Sequence, residues 1–449
     1  MWVNHDRDFI KEFIILALPV AFQQLVTQIL LMIDNIMIGH LGEICISTVS
    51  ICNTFIWLST TIITGLLAGA VIVCVQEHGR GNKEQIYKIF SLMLVLNILF
   101  SLVFYIGMSL FPSFILSLYT NVPEIIDAGV DYFKITKYSL IFNAIYLTII
   151  YTLNSIRNVK ISLYVSIFSC LSKIFINWVF IYGNLGFESL GIKGAAISTL
   201  LVRFIECLLA TCYFFMMEED LKFRIKDFNF KLEKEAFIML INVSLPTLFL
   251  EISNNLLSSA QTMITGHISE YYISANSIVH SAWMLPSVIY SGLSVAASIM
   301  IGNKIGKGDK KEAQKYALNY IPTTLIVSLF CAISLQFILP IIMKYYNVSA
   351  TTLDLAKRMG YFASITSFFM GFRQVLANGV IKSLGKTRKL MRLDIVSNWL
   401  FAVPFGYLAA FIFNWPVEYL YLILRSGSII ITFWSLYEIK TGKWLKIEK

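Results

Sequence analysis

The sequence predicts an all-α membrane protein with twelve transmembrane helices in two six-helix lobes related by a parallel pseudo-two-fold repeat. Three observations carry that prediction. Hydrophobic residues make up 57% of the 449-residue chain and charged residues only 14%, with a mean hydropathy of +0.71, a balance that excludes a soluble domain. Twelve long apolar stretches fill the chain, each meeting the roughly 20 residues needed to cross a bilayer. The halves also repeat one punctuation at one fixed offset: Leu18-Pro19 returns as Leu245-Pro246, Gly39-His40 as Gly266-His267, and Gly79-Arg80-Gly81-Asn82-Lys83 as Gly306-Lys307-Gly308-Asp309-Lys310.

The first half contributes spans near 13–38, 46–76, 86–111, 127–154, 161–183 and 192–216. The second contributes 237–265, 270–301, 316–343, 352–381, 390–413 and 417–439. Several exceed the thickness of the hydrocarbon and must tilt or run on beyond it. Pro19 and Pro246 sit in the first span of each half, and Pro286 and Pro404 in the eighth and eleventh. Each removes a helical hydrogen bond and marks a gating point or a fixed kink. Gly65, Gly69 and Gly292 read as faces where helices pack closely. His40 and His267, at matched positions, read as a repeated outer turn. Six spans per half give both halves one orientation, so the repeat is parallel and not inverted. The expected domains are residues 1–216, a connector 217–236, and residues 237–449. The connector holds Glu218, Glu219, Asp220, Lys222, Arg224, Lys226 and Asp227 and reads as a solvated linker that lets the halves rock.

A net charge of +9 could signal a nucleic-acid partner, but its distribution follows membrane insertion instead. Lys and Arg crowd 7–11, 80–88, 157–160, 222–234, 304–315, 382–392 and 440–449, whereas 39–43, 111–131, 266–272 and 414–419 contain none. The positive-inside rule then places both termini in the cytoplasm and the chain in the cell (inner) membrane. The first span lacks a small-residue cleavage site and reads as a retained helix. Cys45, Cys52, Cys74, Cys170, Cys207, Cys212 and Cys331 lie in or beside spans without metal-ligand spacing and read as apolar packing residues.

Internal repeats packed together, with a substrate site where they meet, are the recurring architecture of secondary transporters. At the level of motifs the chain resembles, over its full length, the multidrug and toxic compound extrusion (MATE) family of the MOP flippase superfamily. The resemblance rests on Ala17-Leu18-Pro19 through Met32-Ile33-Asp34-Asn35-Ile36-Met37-Ile38-Gly39 and on Gly79-Arg80-Gly81. It rests also on Gly191-Ile192-Lys193-Gly194-Ala195-Ala196-Ile197-Ser198-Thr199 and on Val295 to Asp309. It implies two six-helix lobes around a central cavity and export of organic compounds in exchange for protons or sodium ions.

Carboxylates inside spans are the first candidates for coupling, because an unpaired charge there is costly. Asp34, Glu206 and Glu251 qualify. Arg203 precedes Glu206 by one helical turn, so that pair can satisfy itself and reads as structural. Asp34, Asn177 and Thr199 lie about five to seven residues inside the outer ends of spans one, five and six, and at about 1.5 Å per residue share one depth. The resemblance puts Asp34 and Thr199 on family cation-site positions, with two departures: Asn177 replaces an acid, and Lys173, one turn below, replaces an amide. A sodium site wants hard, negative oxygens. An ammonium can occupy the same space and serve as counter-ion to Asp34; the bland alternative for Asp34 is a helix-end acid solvated from outside. Glu251, five residues after Pro246, matches by resemblance the C-lobe acid of one branch of the family. Gly371 stands at the position of a second acid, and nearby Arg373 is the expected partner of Glu251, either in coupling or as a structural ion pair.

Trp57 and Trp283, near matched places in spans two and eight, are candidates to line an apolar cavity. Gly379 to Thr387 imitates a phosphate-binding loop with one residue too many between its glycines, and no nucleophile, metal or phosphate constellation is present. The reading is a cation-coupled secondary exporter of drugs, toxins or natural products, not an enzyme, working by rocker-switch alternating access with protons favoured over sodium and no cofactor. Its expected partners are a small organic substrate and the lipid bilayer, with no nucleic acid, and it is expected to be a monomer. A lipid-linked precursor flippase of the same superfamily is the alternative, favoured by Lys134 and Lys137 in span four. A membrane-embedded enzyme or receptor is a third reading, against which the repeat stands.

Overall fold

The computed structural model describes residues 7–39, 43–119, 122–218, 220–224, 227, 234–266, 270–344 and 349–442. His40, His267 and residues 443–449 of the basic tail lie outside the described residues. Apolar runs of this length satisfy their backbone groups internally only as helices, and the regular elements among the described residues are all helical. Spans one to three are α1 (Arg7–Gly39), α2 (Glu43–Arg80) and α3 (Lys83–Leu110). After the short α4 (Pro112–Ser117), span four is divided into α5 (Pro123–Thr136) and α6 (Ser139–Ser155). The division falls at Lys137, whose ammonium donates to Ser109 Oγ at 3.1 Å and lies over the Tyr105 and Tyr138 rings. Spans five to nine are α7 (Lys160–Phe180), α8 (Gly191–Met216), α9 (Lys234–Gly266), α10 (Glu270–Gly306) and α11 (Lys310–Met343). Among the described residues, nine helices are long and apolar enough to cross a membrane. The chain is a multi-pass membrane protein.

The last three spans are less regular than their apolar runs suggest. Span ten is α12 (Ala350–Phe372) continued by a π-helix, Arg373–Ile381. Span eleven is α13 (Thr387–Ile395), a second π-helix Val396–Ala402, and α14 (Val403–Phe411). Pro404 follows directly on that wide turn, where the π-helix passes without a break into α14; its missing N–H withholds a donor from the preceding helical turn. Span twelve is broken between α15 (Val417–Leu424) and α16 (Gly427–Thr441), at Arg425 and Ser426.

The repeated punctuation has a structural cause. Gly81 and Gly308 adopt left-handed φ angles of +76° and +79°, which a side chain resists. The next residue caps the following helix in both places: Asn82 accepts from the Gln85 N–H at 3.3 Å, and Asp309 from the Glu312 N–H at 3.1 Å.

Packing divides the chain into two compact units at points other than the connector: Phe22–Cys74 with Asn82–Leu248, and Phe249–Lys449 with Met1–Ala21 and Val75–Gly81. Close glycine contacts lie within each unit. In the first unit, a Cβ on Gly65 would stand 3.0 Å from Leu248 Cα and one on Gly69 would collide with the Ser244 backbone, while Thr247 Oγ1 donates to the Gly65 carbonyl at 2.8 Å. In the second, a Cβ on Gly292 would meet the Ala17 carbonyl at 2.5 Å and Ala21 Cβ at 2.9 Å. Gly79 lies against the Asn303 carbonyl and Gly306 against that of Gln76. The contact of Gly65 with Leu248 and that of Gly292 with Ala21 are one contact made twice, at the offset that relates the repeated motifs.

The connector is not a free linker along its first part. Leu221 and Phe223 are buried in the core of the first unit with Phe90 and Phe214. The Glu218 carboxylate accepts from the backbone N–H groups of Asp220, Leu221 and Lys222, and Lys83 pairs with Asp220 at 3.5 Å. Of the cysteines, Cys52, Cys74, Cys170, Cys207 and Cys331 are buried, Cys45 is half-buried, and Cys212 is exposed. Close glycine contact predicts that Gly69→Leu lowers the melting temperature by the equivalent of about 1–3 kcal/mol or more. Val103→Leu, on an exposed position of α3, should leave it unchanged. Equal melting curves for both variants would contradict the contact.

Candidate functional site

In the first unit, α1, α7 and α8 bring together Asp34, Lys173, Asn177 and Thr199, the residues that depth counting selects. Lys173 and Asn177 are four residues apart on one face of α7, and both are buried. Asn177 Nδ2 donates to Asp34 Oδ1 at 2.8 Å, and Lys173 Nζ stands 3.4 Å from the same oxygen. Lys173 also donates to Thr199 Oγ1 at 2.7 Å, and that hydroxyl donates to the Ala195 carbonyl at 3.0 Å. Asn177 Oδ1 is buried without a hydrogen-bond partner among the described residues. The Asp34 charge is thus answered from inside the protein by an ammonium and an amide. The ammonium lies among the oxygens that a small cation would need.

In the second unit the expected pairing of Arg373 with Glu251 is not formed. Arg373 Nη2 donates to Asp394 Oδ1 at 2.6 Å and to Asn254 Oδ1 at 2.8 Å. Glu251 faces Lys382 instead, at 3.6 Å. Helix direction is the reason: residue numbers fall from Asn254 to Glu251 as they rise from Arg373 to Lys382, so α9 runs opposite to the π-helix, and Glu251 meets the far end of that segment. Asp394 is the most enclosed acid of the group, its side chain 2% exposed against 37% for Glu251. Its Oδ2 has no hydrogen-bond partner among the described residues. Gly371 packs against Ser328 and Tyr290, leaving no room there for an acidic side chain.

Arg203 and Glu206 pair at 2.7 Å, as their spacing requires. Trp57 is largely exposed, whereas Trp283 packs against a buried cluster with Tyr272 and Leu335, its indole nitrogen buried without an acceptor among the described residues. Lys134 is paired with Asp131 at 2.8 Å, whereas Lys137 is tethered by neutral partners only, Ser109 and the Tyr105 and Tyr138 rings. Sequence reasoning missed Asp394, Lys382 and Glu438, the last a buried acid held by Lys386 and Lys389. All three lie toward the ends of spans, where charge is ordinarily solvated.

The MatE family matches residues 19–179 and 246–408, one copy in each half. The chain belongs to the MatE family. Members are transporters and not enzymes. The two matches begin at Pro19 and Pro246, the prolines that the repeat pairs. Relatives include a probable multidrug resistance protein NorM of Xylella fastidiosa, 22% identical over 419 residues covering 93% of this chain and 89% of the relative. Another is the multidrug resistance protein MdtK of Edwardsiella ictaluri, 24% identical over 410 residues, covering 89% and 87%. In fold the chain is similar to a MOP superfamily transporter from Pyrococcus furiosus, with a TM-score of 0.87, 16% identity and 96% of each chain covered. It is similar also to the Vibrio cholerae MATE transporter VcmN, with a TM-score of 0.85, 15% identity and 97% of each covered.

For a member of this family, the contacts of Lys173 lead to a sharp expectation. Lys173→Ala leaves Asp34 without its cation in a low-dielectric site, which typically costs about 3–5 kcal/mol. The double variant with Asp34→Asn should be less destabilised than the sum of the two single changes. Thermal or denaturant unfolding of the four proteins measures this, and strict additivity would show that the two residues do not interact.

Proposed function

We propose that the chain is a secondary exporter of small organic compounds from the cell, driven by protons in preference to sodium, with both termini cytoplasmic. Family membership supports the export reading, as do relatives that bear the name of multidrug resistance proteins. The observation that carries the ion preference is Lys173, whose ammonium lies 3.4 Å from Asp34 Oδ1 and 2.7 Å from Thr199 Oγ1. A sodium ion entering those oxygens would be repelled by a charge already there.

The same geometry supports a coupling step. Protonation of Asp34 removes the charge that holds Lys173, and protonation of Glu251 releases Lys382. Each event leaves a buried cation that must find another partner, and that demand biases the lobes toward their alternative arrangement. Glu251 is the more accessible of the two acids, which suits it to exchange protons with a water-filled cavity.

In proteoliposomes, transport should follow an imposed proton gradient and change little with sodium at fixed pH. Glu251→Gln keeps the shape but cannot ionise. It should abolish uphill export and, because the buried Lys382 loses its carboxylate, lower the melting temperature, with substrate binding retained in the protein that remains folded. Strong activation by sodium without a pH gradient, or uphill export sustained by the Gln variant, would contradict these assignments.

A further inference from the structure

Arg425 stands at the break in span twelve, directly after α15 (Val417–Leu424), about 12 Å along the helix at about 1.5 Å per residue. An arginine at such a depth needs something to answer its charge. Lys173, Arg203, Arg373 and Lys382 are each ion-paired with a carboxylate. Arg425 has no such partner among the described residues. Its guanidinium donates to Asn276 Oδ1 at 3.4 Å, lies 3.7 Å over the Tyr421 ring, and has the Tyr272 hydroxyl within reach. All three partners are neutral.

The surrounding side chains come from one stripe of α10. Tyr272, Asn276, His280 and Trp283 follow at intervals of four, four and three residues, which places them on one helical face. The His280 ring lies 5.8 Å from that of Trp283, whose indole N–H is buried without an acceptor among the described residues. Arg425 is the C-cap of α15 and precedes α16 (Gly427–Thr441), so the negative end of one helix and the positive end of the next fall on it together and neither supplies a full counter-charge.

The internal repeat sharpens the picture. Carried across by the offset that pairs Pro19 with Pro246 and Gly39 with Gly266, Asp34 corresponds to Gln261. Gln261 Nε2 donates to the Leu424 carbonyl, beside Arg425. Where the first half holds an acid and a lysine, the second holds an amide and an arginine. One arrangement is neutral overall and the other carries an unanswered positive charge.

We propose that the Arg425 cluster of the second unit is an anion subsite that binds the carboxylate of a zwitterionic or anionic organic substrate; the assignment rests on the exporter reading. A guanidinium meets a carboxylate through two parallel hydrogen bonds, and the amide of Asn276, which touches the guanidinium, supplies a further donor. A lipid phosphate offers related chemistry, so the test separates the two.

The probes are a rhodamine bearing a free carboxylate and the ethyl ester of the same chromophore. Equilibrium binding to the purified full-length protein is followed by fluorescence polarisation in phosphatidylcholine nanodiscs. The carboxylate form should bind roughly ten- to a hundred-fold more tightly than the ester, the scale of a charge-assisted hydrogen-bonded pair. Arg425→Met should bring the ratio to about one without weakening the ester, and Arg425→Lys should keep part of the preference. Asn276→Asp places a carboxylate on the guanidinium and should erase the preference at an unchanged or higher melting temperature, which separates loss of the site from loss of the fold. Equal affinities in the unmodified protein, or a preference that survives both Arg425→Met and Asn276→Asp, would overturn the assignment. Disappearance of the preference when phosphatidylglycerol is added to the discs would also overturn it, by assigning the arginine to lipid headgroups. Export of each probe from proteoliposomes tests the underlying reading separately. A binding preference without export of either probe keeps the anion subsite and contradicts the exporter, whereas export of both without a preference does the reverse.

Discussion

Lipid cannot answer an ionised side chain, so every charge that this chain takes into the bilayer must be matched by protein, water or cargo. That constraint orders the interior of both units. Asp34 is met by Lys173 and Asn177, Glu206 by Arg203, Asp394 by Arg373, and Glu251 by Lys382. Such pairs add little to stability as pairs, yet removing one member is expensive. A protein built this way is sensitive to protonation at a few places and indifferent to it elsewhere.

The repeat supplies the frame on which that asymmetry is laid. Backbone geometry is duplicated closely: left-handed glycines at 81 and 308, capping residues at 82 and 309, and the mirrored contacts of Gly65 with Leu248 and Gly292 with Ala21. Chemistry is not duplicated. Asp34 corresponds to Gln261. Duplicated geometry gives the two halves one backbone plan, and unequal charges give each a different chemistry.

The fold was legible because hydropathy and punctuation are read directly from residue order: apolar length fixes a span, and glycine with its following cap fixes a turn. The first-unit cluster was legible too, since counting inward from span ends placed Asp34, Asn177 and Thr199 at one depth. In the second unit the expected pairing came from the resemblance and not from counting, and the structure does not form it. The resemblance sets Arg373 beside the position of a second acid and so makes it the expected partner of Glu251, but the π-helix after Phe372 and the opposite sense of α9 carry it to Asp394 and Asn254. Hydropathy is blind to hydrogen-bond register, so it also hid the breaks in spans ten to twelve and left Arg425 unnoticed inside an apolar run. Residues 217–223 were read as solvated from their charge, whereas Leu221 and Phe223 bind them to the core.

The central claim is that Lys173 occupies the place of a coupling sodium ion. A ligand that binds the folded protein raises its melting temperature in proportion to the logarithm of its concentration. Melting curves of the purified protein recorded over a sodium series at constant ionic strength, with potassium or choline as balance, therefore test the claim directly. The account predicts no sodium-specific shift in the unmodified protein and a shift that emerges in Lys173→Gln, where the oxygens of Asp34 and Thr199 are freed. Sodium-specific stabilisation of the unmodified protein, lost in Asp34→Asn, would contradict it.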